Sequence, residues 1–242
     1  MDTIKINKKH VRMIAHQGLS GIEKGNTNTA FVAAGNRSYY GIETDVHKTA
    51  DGQYVIIHDE TTAGVTNGAV DIDVEKNAYG MVKDIVLPDR DGSTARQDIR
   101  IPLLTEYIKI CKKYDKKCVL ELKNPFCKED IMEIIEIIKK EDYLEHIIFI
   151  SFVLENCIIL RELLPGQPIQ WLIGTRMTEE IKNMLYQYHL DLDIYFRELD
   201  EDTLKELHAN NVKVNCYTVD DRECAEKLVE MGVDFITSDI LE

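Results

Sequence analysis

No stretch of the 242-residue sequence carries the roughly 18 successive apolar residues that a membrane-crossing helix needs. The segment Met1 to His10 is polar and lysine-bearing, with no apolar run behind it of the kind that marks a secretory leader. A soluble, cytoplasmic protein without stable membrane association is expected. Positive charge is also scarce. Twenty-nine Lys and Arg stand against 43 Asp and Glu, a formal net charge of -14. That balance excludes a protein that tracks nucleic acid or an anionic surface, since both need clustered cations. A small anionic ligand remains admissible where a metal or a local cation offsets the field. The six cysteines, Cys111, Cys118, Cys127, Cys157, Cys216 and Cys224, show no CxxC spacing. They suggest neither a disulfide framework nor a thiolate metal site, and they read as small, reduced core residues. There is no Pro/Gly/Ser-rich linker, low-complexity block or repeat, so residues 1–242 are expected to form one domain.

Short apolar runs alternate with segments of helical period, the pattern of repeated βα units on a parallel sheet. Strands are predicted near residues 12–16, 40–46, 117–122, 147–151, 168–173, 191–195, 212–217 and 234–237. Helices follow from caps and stripes. Asn26-Thr27 precedes one through Ala30, Phe31 and Ala34, and Leu104, Tyr107, Ile108 and Cys111 form a stripe. Thr178 precedes two acids at a helix start. Asp200 to Asn210 and Asp220 to Met231 behave similarly, with Gly232 as a C-terminal stop. Eight strands also suit a large doubly wound sheet. An α/β fold of the (β/α)8-barrel type is preferred, because the chemically interesting residues fall at the ends of several different strands.

Residues 41–59 depart from the alternation. Asp51-Gly52 is a two-residue hairpin signal, so the strand carrying Glu43 and Asp45 should double back through Tyr54 to Ile57. With that loop, Ala50 faces Gln53 and Asp45 lies across from His58, giving a β-hairpin extension after the second strand.

Hard divalent cations prefer oxygen ligands, and Glu43 and Asp45 share one strand face by the period of two. Glu121 ends an apolar strand and should point into the barrel mouth, as should His16. Taken singly each has a plainer explanation: a solvated acidic face for Glu43 and Asp45, a salt bridge to Lys123 for Glu121, a hydrogen-bonded structural role for His16. Their convergence on one barrel face favours a site, because ionisable groups in a shared cleft are costly without a role.

The ordered residues Ile14-Ala15-His16-Gln17-Gly18, Asn26-Thr27, Gly41-Ile42-Glu43-Thr44-Asp45-Val46 and Ile57-His58-Asp59 resemble the glycerophosphodiester phosphodiesterases. Leu120-Glu121-Leu122-Lys123, Ile150-Ser151-Phe152, Tyr217-Thr218-Val219 and Ile236-Thr237-Ser238-Asp239 extend that likeness over essentially the whole chain. The resemblance implies a single-domain TIM barrel holding one Mg2+ or Ca2+ on Glu43, Asp45 and Glu121. It also implies His16 and His58 as an acid/base or nucleophile pair, Lys123 on the phosphate, and a small glycerophosphodiester cleaved to glycerol 3-phosphate and an alcohol.

Two departures stand out. Family members usually carry Arg where Gln17 stands, and a neutral amide lacks the bidentate, charge-assisted pairing of Arg with phosphate. Lys24-Gly25-Asn26-Thr27 replaces the usual Pro-Glu-Asn-Thr, so Lys24 either restores part of the lost positive charge or is a solvated loop lysine. Rival expectations are a different headgroup, a phospholipase D-like activity, which is elsewhere secreted and disulfide-bonded, or a catalytically impaired barrel that binds phosphometabolites. Retention of both histidines counts against the last. Headgroup, oligomeric state, the choice between Mg2+ and Ca2+, and which histidine attacks stay open at this level.

Overall fold

A computed structural model describes residues 2–242. Eight parallel strands close into a ring: β1 (Arg12–Ala15), β2 (Gly41–Lys48), β4 (Lys117–Leu122), β5 (Ile147–Ser151), β6 (Ile169–Ile173), β7 (Asp191–Tyr195), β8 (Val214–Tyr217) and β9 (Phe235–Ser238). β1 pairs with both β2 and β9, and that closure distinguishes a (β/α)8 TIM barrel from an open doubly wound sheet. Strand β3 (Tyr54–Ile56) adds antiparallel to β2 outside the ring. Seven helices lie around the described barrel: α1 (Asn28–Gly35), α2 (Leu104–Lys113), α3 (Lys128–Lys140), α4 (Leu154–Leu163), α5 (Glu179–Gln187), α6 (Glu201–Ala209) and α7 (Arg222–Met231).

Each helix turns an apolar stripe to the strands. Leu104, Tyr107, Ile108 and Cys111 are the buried face of α2, and Ile131, Ile134, Ile135 and Ile138 that of α3. Every such aliphatic side chain removed from water contributes about 1.5–3 kcal/mol before conformational entropy is set against it. Side-chain caps fix the starts: Thr27, Thr178, Asp200 and Asp221 each accept a hydrogen bond from a backbone N–H three residues on. Gly232, at φ 96°, ends α7 in the left-handed conformation that favours glycine.

The inside of the ring has two kinds of lining. Ile14, Val119, Ile148, Ile150, Leu172 and Phe235 form an apolar plug. Against it lies a buried polar set of Gln170, Asp193, Asn215 and Thr237, in which Asn215 Nδ2 lies within 3.3 Å of oxygen atoms on the other three. A separate small core of Val55, Ile57, Val74, Val82, Leu87, Ile99 and Ile101 stabilises the long excursion between β3 and α2. Among the described residues no helix is long and apolar enough to cross a membrane.

The hairpin exists, but its register differs from the sequence expectation by one residue. Val46 pairs with Ile56, His47 with Val55 and Lys48 with Tyr54. Asp45 therefore stands beside Ile57, whose N–H donates to the Asp45 carbonyl at 3.1 Å, and not across from His58. The loop has three residues, Ala50-Asp51-Gly52, because Gly52 takes φ +79° and its N–H returns to the Thr49 carbonyl. Asp51 locks that shape by accepting from Thr49 Oγ1 at 2.6 Å and from the Tyr79 N–H at 2.9 Å. A slip of one residue sends every side chain to the other face, so the ladder alone does not bring His58 to the acids.

Candidate active site

Chain geometry at the wide end of the barrel brings the acids together before any side chain turns. Asp45 and Glu121 are direct neighbours in the β2–β4 register, and Glu43 lies two residues back on the same face. One carboxylate oxygen from each lies within 4.8 Å of those from the other two. The three side chains belong to residues only 3%, 1% and 6% exposed, in the order Glu43, Asp45, Glu121. After β1 the backbone kinks through two left-handed residues, Gln17 at φ 52° and Gly18 at φ 78°. The kink aims the Gln17 N–H at Glu43 Oε2, 2.8 Å away. Glycine is required at 18, where a Cβ would approach the Ala30 carbonyl carbon to 2.6 Å.

Burial first, and the charge of Asp45 second, push the carboxyls of Glu43 and Glu121 up to about 8. Lys123 lies against two of the acids, 3.0 Å from Glu121 Oε1 and 3.5 Å from Asp45 Oδ1. Burial alone would make that ammonium more acidic, but Asp45 and Glu121 outweigh burial and hold it protonated. Glu121 Oε1 is buried without a hydrogen bond of usable angle, even with Lys123 alongside. An all-oxygen set of three buried carboxylates and an orphaned acceptor fit a hard divalent cation.

His16 follows β1 directly, and the β1–β9 register sets it beside Asp239. Its Nδ1 donates to Asp239 Oδ1 at 2.7 Å, while Nε2 lies 3.9 Å from Glu43 Oε2. Burial would lower the pKa of this imidazole, yet the Asp239 hydrogen bond and the charges of Glu43, Asp239 and Asp45 raise it to about 9. His58, half exposed, has its Nδ1 2.8 Å from Asp59 Oδ1. Its position comes from the chain leaving the hairpin: His47, buried beneath it, places Nε2 3.3 Å from the His58 carbonyl. Both histidines line two adjoining cavities. One, of about 250 Å3, opens into the barrel and is also lined by Glu43, Glu121 and Lys123. The other, of about 520 Å3, faces the excursion.

Gln17 and Lys24 line the second cavity and not the first. The Gln17 amide turns back onto the acids, with Nε2 3.4 Å from Asp45 Oδ2. Lys24 forms no ion pair among the described residues, and burial makes its ammonium more acidic than an ordinary lysine.

Several contributors escaped the sequence reading. In sequence, Asp239 is only the end of the Ile236-Thr237-Ser238-Asp239 motif. Asn26-Thr27 precedes α1, whose cap is Thr27; Asn26, at φ 56°, donates from Nδ2 to Asp45 Oδ2 at 2.6 Å while accepting from Thr44 Oγ1 at 2.7 Å. An Asn directly before a cap threonine, a residue type that tolerates left-handed backbone, in a chain already placing two acids on the next strand, was the available signal. Asp193, between Leu192 and Ile194 on a strand that reads as core, gave none, and His47, which faces away from Asp45, reads as structural.

A family model, the Glycerophosphoryl diester phosphodiesterase family, matches residues 16–242. A glycerophosphodiester phosphodiesterase of Caldanaerobacter subterraneus is 29% identical over 236 residues, covering 94% of this chain and 93% of its own. A phosphodiesterase of Oleispira antarctica, solved in complex with the product sn-glycerol-3-phosphate, superposes with a TM-score of 0.84 at 25% identity, covering 98% of this chain and 96% of its own. A glycerophosphodiester phosphodiesterase from Thermotoga maritima shares the fold, with a TM-score of 0.73 at 24% identity and 95% of each chain covered. By the family match over nearly its whole length, the chain belongs to the glycerophosphoryl diester phosphodiesterase family and is a phosphoric diester hydrolase.

Proposed function

We propose that this barrel cleaves a glycerophosphodiester to glycerol 3-phosphate and an alcohol, with one Mg2+ or Ca2+ held by Glu43, Asp45 and Glu121. The observation that carries the proposal is the convergence of three buried carboxylates, two of which, Glu43 and Glu121, join Lys123 and both histidines in the walls of one cavity of about 250 Å3. The Oleispira neighbour, which carries glycerol 3-phosphate, supports the product side.

When bound, the cation neutralises charge that gathers on a phosphoryl oxygen in the transition state. The remaining work falls to side chains. Asp239 holds His16 Nδ1–H and leaves Nε2 to attack phosphorus or to take a proton from an attacking hydroxyl. With the acids uncompensated, His16 is held protonated, so attack from Nε2 requires their charge to be offset. Asp59 orients His58 in the same manner, so that His58 Nε2 hands a proton to the departing alkoxide. Lys123 swings between the carboxylates and a phosphoryl oxygen as a point charge. Asn26 and Gln17, by fixing Asp45 and Glu43, keep the trio converged.

Turnover of glycerophosphocholine, glycerophosphoethanolamine and glycerophosphoglycerol, with and without EDTA, tests the proposal. Release of glycerol 3-phosphate that stops with EDTA and returns with Mg2+ or Ca2+ is expected. Activity indifferent to chelation, or no release from any of the three, overturns it. Lys24→Ala is expected to raise KM roughly two- to fivefold with kcat nearly constant, the worth of a partly exposed ion pair. An unchanged KM assigns Lys24 to the solvated loop.

A further inference from the structure

The barrel-side cavity contains a polar group that the mechanism leaves unused. Asp193, on β7, is 2% exposed and lines that cavity together with His16, Lys123 and Thr237. Its two oxygens are unlike. Oδ2 accepts from Asn215 Nδ2 at 3.0 Å, whereas Oδ1 is buried and has no hydrogen-bond partner. The neighbouring lining is apolar, with Ile150, Leu172 and Phe152. A lone buried carboxylate oxygen is costly to leave unpaired, so its retention where packing alone would favour an aliphatic residue points to a partner that enters the cavity.

Resting on the phosphodiesterase reading above, we infer that Asp193 Oδ1 hydrogen-bonds a hydroxyl of the substrate's glycerol moiety, making Asp193 the residue that selects polyol-bearing diesters. The chemistry points to a hydroxyl and to no other common group. An ammonium would be repelled by Lys123 and by the divalent cation proposed for the same cavity, a phosphate would be repelled by a carboxylate, and an alkyl chain would leave Oδ1 unpaired. A hydroxyl both donates and accepts, so it suits Asp193 in either protonation state. Burial, with the charge of Glu121 second, holds this carboxyl well above the usual range, and a protonated Oδ1 would donate to the hydroxyl oxygen. A site built around a substrate hydroxyl discriminates strongly against the analogue that lacks it, because its own buried polar atom is then stranded.

The test compares glycerophosphoethanolamine with its propyl analogue, in which the glycerol carbons carry no hydroxyl, in wild type, Asp193→Asn and Asp193→Leu. Inhibition by glycerol 3-phosphate against propyl phosphate gives a second ratio that does not depend on turnover of the variants. The wild type is expected to favour the hydroxylated member of each pair by about tenfold to a hundredfold, the worth of a hydrogen bond to a charged or strongly polar group. In Asp193→Leu both preferences should collapse to within about twofold of unity; Asp193→Asn, which keeps the Asn215 contact and a polar atom toward the cavity, should retain part of them. Equal losses on both diesters with the ratios intact would show that Asp193 only packs the barrel and would overturn the inference. So would a wild type without preference, even though it cleaves both diesters. Should Asp193→Leu not fold, Asp193→Asn decides by the same ratios. A wild type inactive on both diesters refutes the phosphodiesterase reading itself, and this inference with it.

Discussion

Replacing His16 with alanine is expected to lower glycerophosphodiester turnover by about 10^2–10^4-fold, the range that a positioned acid, base or nucleophile supplies, while circular dichroism and melting temperature stay near wild type. Its ring is only partly buried at the cavity wall, so truncation leaves the packed interior intact. Asp239→Asn should cost less, because the asparagine carbonyl still accepts from Nδ1–H, but it should move the pH dependence. Asp239 is among the groups that hold the imidazole at about 9. With its charge gone, burial weighs more heavily and the acid limb of kcat/KM shifts toward lower pH. Steady-state kinetics from pH 5 to 9 on the two variants separate a reacting imidazole from a structural one. Retention of more than about a tenth of wild-type turnover by His16→Ala would remove His16 from the chemistry.

Cation binding should raise the melting temperature by about 5–10 °C at pH 8, for a ligand present at a hundredfold its Kd and a domain of this length. At pH 5 the rise should nearly vanish. The sign follows from the acids. Glu43 and Glu121 ionise near 8 in the folded chain against an ordinary value of 4.5. Below about 4.5 both states carry these protons and the trio costs little. Between there and about 8 the folded state binds more protons than the unfolded one, so stability without metal falls as pH rises. Above about 8 the repulsion is fully present, and a divalent ion relieves most of it. At pH 5 the same ion must displace the protons first. Thermal unfolding in Mg2+, in Ca2+ and in EDTA at the two pH values measures the difference. An equal rise at both, or none at pH 8, would show that the three acids do not share an ion.

Residue patterning carried the barrel well. All eight strands lie within a residue or two of the predicted ranges, because a strand buried on both faces reads as a continuous apolar run such as Ile147 to Ile150, and the cap of α5 at Thr178 announces its helix. What failed was local and conformational. Asp51-Gly52 signals a turn without stating its length, and only the left-handed Gly52 with the Asp51 bond to Tyr79 makes it three residues. Tyr79 lies 28 residues downstream, so no window around the hairpin contains that information. The excursion was likewise illegible: its small core draws on Val55, Val74, Leu87 and Ile99, spaced without helical or strand period. Asn26, His47 and Asp193 belong to a third kind, polar residues whose meaning lies in partners that only the folded chain brings close.

Closure has a temporal consequence. The His16–Asp239 contact joins residues 223 positions apart, the first strand of the ring to the last. A nascent chain that has released β1, β2 and β4 already owns every acid of the trio, yet it cannot orient its first imidazole until the final strand leaves the ribosome and docks. Such distant pairing is slow to find. Competence to process a diester therefore waits on the docking of β9, and a chain cut before Asp239 should bring the three acids together without an oriented His16.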